Sequence, residues 1–316
     1  MSVIRSERRA PDQHRLHGTS TIPAAPGQVA TLFVDDISSG ADARFRSAQA
    51  GAGDLPQSLA GISVRITQLD GSEMQVPMFA VQQKRLCGLS GLQADDAGCL
   101  LTLIKAQIPF EVPGDPVLSD QKVHALPLPA VIRIDVDGAA SRYSHYLDNG
   151  HVATTCDVSW DTSGSSVCDR QVFHSDGSLV TRDAPAQAGE TLYVLLYGLG
   201  RTYPVVQTGH PSSGGAVITD LIPNSPRVTL GIVTNFVNAL SSAPRTPFNP
   251  ETANATPLPI TAASLLSDQI GIYKVSFTLP NLKDPFIPCG GDVRSNSLMF
   301  VTTSQGVEAI GLCVQP

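Results

Sequence analysis

The sequence predicts an all-β protein built as two tandem antiparallel β-sandwich modules with little helix. Three observations carry that expectation. The chain holds 24 prolines and 27 glycines against only 16% charged residues, which describes many turns and weakly charged strands rather than the Ala/Glu/Lys-rich faces of helical proteins. Apolar residues recur with period two in several stretches, the signature of half-buried strands. Two short segments also recur in the same order roughly half a chain apart, and a length of 316 residues suits two cores better than one.

Residues 1–22 are polar, charged and unpatterned, and read as a disordered tail. Order is expected from Pro23. Ile62, Val64 and Ile66 alternate with Ser63, Arg65 and Thr67, and Ile132, Ile134 and Val136 alternate with Arg133, Asp135 and Asp137. Val228, Leu230 and Ile232 repeat the pattern, as do Tyr273, Val275, Phe277 and Leu279. One buried and one wet face per strand is what an antiparallel sheet requires. Between such runs lie Leu69-Asp70-Gly71-Ser72, Val136-Asp137-Gly138, Asp148-Asn149-Gly150 and Ser175-Asp176-Gly177-Ser178, where glycine supplies the positive φ of a tight hairpin. No strands alternate with amphipathic helical runs, so a parallel α/β sheet is not expected. At most, Thr261 to Gln269 forms a turn or two of helix.

"APGQVATLFV" (Ala25 to Val34) resembles "QAGETLYVLL" (Gln187 to Leu196), aligning Gly27 with Gly189 at an offset of 162. "QIPFEVP" (Gln107 to Pro113) resembles "KVSFTLP" (Lys274 to Pro280), aligning Phe110 with Phe277 at an offset of 167. One module used twice is the expectation, with boundaries at 23–150 and 151–316. In this frame Gly198-Leu199-Gly200 is the exit turn of a sandwich strand. A dinucleotide-binding turn needs G-x-G-x-x-G opening a helix; here the third glycine position is Tyr203, and Pro204-Val205-Val206 continues as extended chain.

A net charge of −7, with no basic run beyond the N-terminal residues, provides no footprint for a nucleic acid backbone. No apolar run approaches the roughly 18 to 20 residues of a helical membrane span; the longest, Thr191 to Tyr197, is strand-sized. The N-terminus has the positive charge of a signal peptide without the apolar region behind it, and Arg8-Arg9 lacks the same region for a twin-arginine signal.

The six cysteines fall into three local pairs, Cys87 and Cys99, Cys156 and Cys168, Cys289 and Cys313. Pairing by proximity would staple three turn-rich segments, each closure contributing about 3 kcal/mol in the chain-entropy treatment. Free buried thiols are the alternative, and so is zinc held by Cys156, Cys168 and His174, although no CxxC knuckle is present. Structural disulfides would imply an extracellular or cell-surface location, reached through a leader removed from the chain or lying upstream of Met1.

The succession "APGQVATLFV", "AQIPFEVP", "FHSDGSLVTRDAPAQAGETLYVLLYGLGRTYPVVQTG", "SDQIGIYKVSFTLP" and "VRSNSLMFVTTSQGVEAIGLCVQP" resembles the secreted, many-copy proteins of unknown function of soil Acidobacteria such as Solibacter. The resemblance runs from about Pro23 to the end. It implies an exported protein with immunoglobulin-like sandwich modules, and it carries over no catalytic residues. The loops around Cys87–Cys99 and Cys156–Cys168 depart from the family's pattern as insertions.

Catalytic motifs are missing from the sequence: there is no G-x-S-x-G, H-E-x-x-H, P-loop, EF-hand or CxxC. The seven histidines are scattered, and beyond the tail only His145 and His151 lie near one another. "IDVDG" and "HSDGS" carry acidic side chains at spacings that extracellular calcium sites sometimes use, but with no full loop of ligands behind them. No catalytic residue, metal or cofactor is therefore assigned. For ligand binding the candidates are Trp160, within the Cys156–Cys168 segment, and Arg201 with Tyr203, since aromatic rings and guanidinium groups suit stacking on sugars or peptides. The expected function is non-enzymatic adhesion, assembly or recognition of a glycan or surface protein. The alternatives are a secreted hydrolase or its accessory module, and a self-assembling structural protein.

Overall fold

In the computed structural model the described residues are 2–4, 21–23, 27–35, 37–39, 44–67, 71–85, 100–111, 131–147, 151–152, 172–197, 199, 202–214, 217–218, 228–239, 255–281, 287–291, 293–303 and 306–316. They form strands and turns only, with no helix among them. The chain divides into two compact units. One comprises Met1–Asn149 with Val205–Ser213 and Ser267–Gly271, and the other comprises Gly150–Pro204, Gly214–Leu266 and Ile272–Pro316.

The first unit holds two sheets. One has the order Ser2–Ile4, Val29–Asp35, Leu100–Gln107, Met78–Arg85, Ser47–Gln49; the other runs Thr21–Pro23, Ala139–Leu147, Val131–Val136, Ile62–Thr67, Ser58–Leu59, with Glu73–Val76 also on Ile62–Thr67. Pairing is antiparallel except for the two N-terminal strands. Ser2–Ile4 lies parallel to Leu32–Val34, inside the span read as a tail, and Thr21–Pro23 lies parallel to His145–Leu147. Both sheets contribute to one core, in which Leu32, Val34, Met78 and Ile104 meet Ile62, Ile66, Ile132 and Ile134. Each such side chain removed from water contributes roughly 1.5–3 kcal/mol. The predicted alternation at Ile62–Thr67 is observed, buried and half-buried residues taking turns.

Two hairpin turns close at one end of the second sheet, and both have positive φ at each central residue: Ala60 and Gly61 at 50° and 76°, Asp137 and Gly138 at 50° and 82°. That geometry is the type I′ turn that matches strand twist. Arg46, buried at 5% exposure, stitches the two together. Its guanidinium donates to the Ala60 carbonyl at 2.7 Å, to both Asp137 carboxylate oxygens at 3.1 and 2.6 Å, and to the Ser38 carbonyl at 2.9 Å.

Val205–Ser213 and Ser267–Gly271 complete this unit through Gln107, which is fully buried. The Gln107 side chain accepts a bond from the Gly209 amide at 2.7 Å and donates to the Gly27 carbonyl at 3.3 Å. Gly209 also passes its carbonyl to the Leu55 amide, and Ser212 exchanges backbone bonds with Asp268 and Gln269. At Gly271 a Cβ would lie 2.1 Å from the Gly27 carbonyl oxygen, and φ is +71°, so glycine is required there twice over.

In the second unit, the strands His151–Val152, Thr191–Tyr197, Tyr273–Thr278, Ile260–Leu265, Val217–Ile218 and Thr202–Tyr203 form one sheet, with Val172–His174 added beside Thr191–Tyr197. Leu192, Val194 and Leu196 face Phe277, Val275 and Tyr273 as direct cross-strand pairs, all fully buried. A second sheet runs Thr256–Leu258, Val228–Ala239, Val293–Thr303, Gly306–Leu312, and Ala186–Gln187 pairs in parallel with Val314–Gln315. The helical turn expected within Thr261–Gln269 does not form. Ile260–Leu265 is a strand on Tyr273–Thr278 with a bulge between Ile260 and Ala262, because ladder pairing and the β-branched Ile260 and Thr261 outweigh the helix preference of two alanines.

The repeated segments occupy corresponding places, with a corrected register. The strand after Gly27 pairs with Leu100–Gln107, and the strand after Gly189 pairs with Tyr273–Thr278. The Ile108 amide donates to the Gln28 carbonyl, and the Leu279 amide donates to the Glu190 carbonyl. Ile108-Pro109 therefore corresponds to Leu279-Pro280, and the offset is 171, four residues beyond the alignment of Phe110 with Phe277. Phe110 instead lies over Gly27, where a Cβ would come within 2.2 Å of its ring.

Candidate functional site

A surface groove of about 240 Å³ lies in the second unit, lined by residues that include Arg182, Pro185, Pro288, Cys289, Val314 and Pro316. Local hydrogen bonding shapes its first wall. After Val172–His174 the chain turns at Asp176-Gly177, where the Asp176 carboxylate accepts from the Ser178 amide at 2.9 Å. A second turn follows, closed by Thr181 N–H on the Ala184 carbonyl and by the Thr181 hydroxyl accepting from the Ala184 amide. The strap from Arg182 to Ala188 then runs beside the C-terminal strand. Ala186 N–H donates to the Cys313 carbonyl at 2.9 Å and Ala188 N–H to the Gln315 carbonyl at 2.8 Å.

The opposite wall is fixed by a disulfide between Cys289 and Cys313, whose Cα atoms are 5.9 Å apart, and by Asn296. The buried Asn296 amide donates to the carbonyls of Ile287 and Val314, at 2.8 and 2.7 Å, and accepts from the Val314 amide at 2.9 Å. Its side chain thus takes the place of a neighbouring strand for Val314. Beside Pro288, Ile287 is 41% exposed. Arg182 carries the charge here; its guanidinium lies 3.6 Å from Asp183, and both side chains are mostly exposed.

His174 holds the strap from behind. Its Nδ1 is 2.6 Å from Glu190 Oε1 and its Nε2 is 3.1 Å from the Ala184 carbonyl. Both partners are acceptors, so only a ring protonated on both nitrogens satisfies both contacts. Burial alone would lower the histidine's pKa, but the bonds to Glu190 and Ala184 and the nearby charge of Asp176 outweigh it and raise the group above its ordinary value. The second Glu190 oxygen accepts from the Gln187 amide at 2.8 Å, continuing the clamp into the strap.

Of the binding residues read from sequence, Tyr203 is 69% exposed at the end of Thr202–Tyr203, with a cis peptide bond to Pro204. Thr202 beneath it donates its hydroxyl to the Pro204 carbonyl. Trp160, Arg201, Cys87, Cys99, Cys156 and Cys168 lie outside the described residues. Tyr193 is a second ring on the same sheet, yet Phe173 stacks on it at 5.0 Å and the Lys274 ammonium sits 4.0 Å from its centroid. That stack is satisfied within the protein.

The acidic side chains of both turns are hydrogen-bonded within the protein. Asp135, expected on a wet face, is 3% exposed and accepts from Arg65 Nε at 2.8 Å and from Arg133 Nε at 3.0 Å. A register shift between Ile134 and Asp135 interrupts the alternation at that point. Asp137 is committed to Arg46, and Asp176 caps Ser178. Among the described residues no three His, Cys, Asp or Glu side chains converge as metal ligands, and no helix is long and apolar enough to cross a membrane.

Sequence reasoning overlooked Arg182, Ile287, Asn296 and the His174–Glu190 pair. A signal existed only for Asn296: Ser295-Asn296-Ser297 runs directly into the apolar Leu298-Met299-Phe300-Val301 of the same strand, and all three are buried. No protein-family model matches the chain, and no curated protein sequence is significantly similar to it.

Proposed function

We propose that this chain is an exported recognition protein of two immunoglobulin-like sandwich modules, related to the secreted Acidobacteria family it resembles, and that it engages a surface protein or glycan without catalysing a reaction. The observation that carries the reading is the stapled groove. A disulfide persists in oxidising compartments, and here it braces an open surface feature in which prolines and a valine stand beside one guanidinium. Ligand sites combine such apolar lining with few polar groups. The exposed ring of Tyr203 is a separate contact point of the kind enriched in binding hot spots.

The test is a glycan array and a panel of extracted cell-surface proteins probed with the intact chain, the Arg182→Ala variant and the Tyr203→Ala variant. Retained folding with at least tenfold weaker binding in one variant supports the reading. No binding above background across both panels refutes it. A second reading, self-assembly, is favoured by Gly306–Leu312, which among the described residues ends its sheet after pairing along its whole length with Val293–Thr303; such an edge can accept another strand. Sedimentation that stays monomeric at high concentration would exclude it.

A further inference from the structure

The geometry points to a proton-dependent latch: with its second proton, His174 ties Glu190 to the Ala184 carbonyl and so holds the Arg182–Ala188 strap against Val314–Gln315, and loss of that proton releases the groove wall. The argument starts from donors and acceptors. A neutral imidazole has one N–H and one lone pair. Facing a carboxylate at 2.6 Å and a carbonyl at 3.1 Å, the neutral ring must present its lone pair to one of them. It then keeps one bond and turns the other into a repulsive contact.

Both bonds bear on the strap. The Ala184 carbonyl also closes the turn to Thr181, and Glu190 also receives the Gln187 amide. Beyond these, the strap is held by parallel pairing of Ala186–Gln187 with Val314–Gln315, flanked by the amides of Ala186 and Ala188 donating to Cys313 and Gln315. The groups facing the ring reinforce the charged form. Glu190 approaches from the start of its strand and Asp176 from the Asp-Gly turn. Tyr193 nearby stays neutral, raised above its ordinary value by burial and by Asp176. Arg182 and Asp183 in the strap pair with each other.

The sign follows from the histidine being raised on folding. The latch is fully engaged below the unfolded value of about 6.5 and is lost as pH rises through the higher folded value. The strap is therefore closed below the unfolded value and loosens as pH rises through the folded value of His174. Release would also free the Cys313 carbonyl, which accepts from the Ala186 amide at 2.9 Å. The consequence for ligand access rests on reading the groove as the recognition site; the latch itself does not.

Hydrogen exchange on the intact protein tests it. The Ala186 and Ala188 amides are followed by NMR from about pH 5.5 to 9, with rates referred to intrinsic exchange, while the His174 ring is titrated in the same sample. The expected result is a fall in protection at both amides that tracks the histidine, about tenfold for each unit by which His174 exceeds its ordinary value, with the core Val275 amide unchanged. Glu190→Gln should lower protection at acid pH and flatten the dependence. Constant protection through the His174 titration, or a His174 that titrates at or below about 6.5, overturns the latch. The wild-type titration decides the matter even if the variant fails to fold. A latch that holds in protein lacking any array or surface ligand would defeat the functional reading alone.

Discussion

Replacing Arg46 with methionine should destabilise the first unit by about 3–6 kcal/mol. Methionine keeps the apolar stem packing, so the loss isolates the guanidinium. Two of its bonds, to the Ala60 and Ser38 carbonyls at 2.7 and 2.9 Å, are charge-assisted and part-buried, worth roughly 1.5–3 kcal/mol each. The pair with Asp137 adds little, since that carboxylate is 62% exposed and exposed pairs contribute about 0–1 kcal/mol. Urea unfolding followed by circular dichroism measures the total, and exchange mass spectrometry on peptides covering residues 58–67 and 131–147 shows whether the two turns loosen together. The bond from Arg46 also holds the Asp137 carboxyl below its ordinary value. That component is present above about pH 3.9 and is lost as pH falls through the folded value, so the gap between wild type and variant narrows in acid. It does not close, because the carbonyl bonds do not titrate. A loss under about 1 kcal/mol, or exchange confined to one turn, would refute the claim that Arg46 joins them.

Two further outcomes are expected in the second unit. Replacing both Cys289 and Cys313 with alanine, a pair 24 residues apart, should cost about 3 kcal/mol by loop-closure entropy, read from urea midpoints with and without reductant for the wild type. Asn296→Leu keeps the branching at Cγ but strands the Val314 amide and two carbonyls; a loss of about 2–4 kcal/mol is expected, with faster exchange at Val314, whereas unchanged exchange there would mean another group substitutes for the amide.

Local patterning was legible where one face of a strand meets the core. Ile62, Val64 and Ile66 needed only period two, and Asp137-Gly138 only the positive φ that hairpin twist demands. Asp135 broke the pattern because a carboxylate can be buried when two arginines on the same sheet reach it, one of them, Arg65, 70 residues away. Arg46 and Asp137 are 91 residues apart, and nothing near either marks the other. The cysteine pair 289 and 313 could be proposed from proximity, but its role as a groove wall depends on Asn296 and on a strap from a distant stretch of chain.

The repeat shows the same limit in its most instructive form. Matching letters aligned Phe110 with Phe277, since aromatic residues dominate any visual comparison. Backbone pairing follows a different rule: a glycine with positive φ opens one strand, and an apolar residue followed by proline leaves its partner. Gly27 with Ile108-Pro109 and Gly189 with Leu279-Pro280 satisfy that rule. Phe277 fills a core position inside its strand, whereas Phe110 lies beyond the end of its own and covers the opening glycine. Similar side chains therefore do unlike work in the two segments, and the shared element is the backbone device that starts and stops each strand pair.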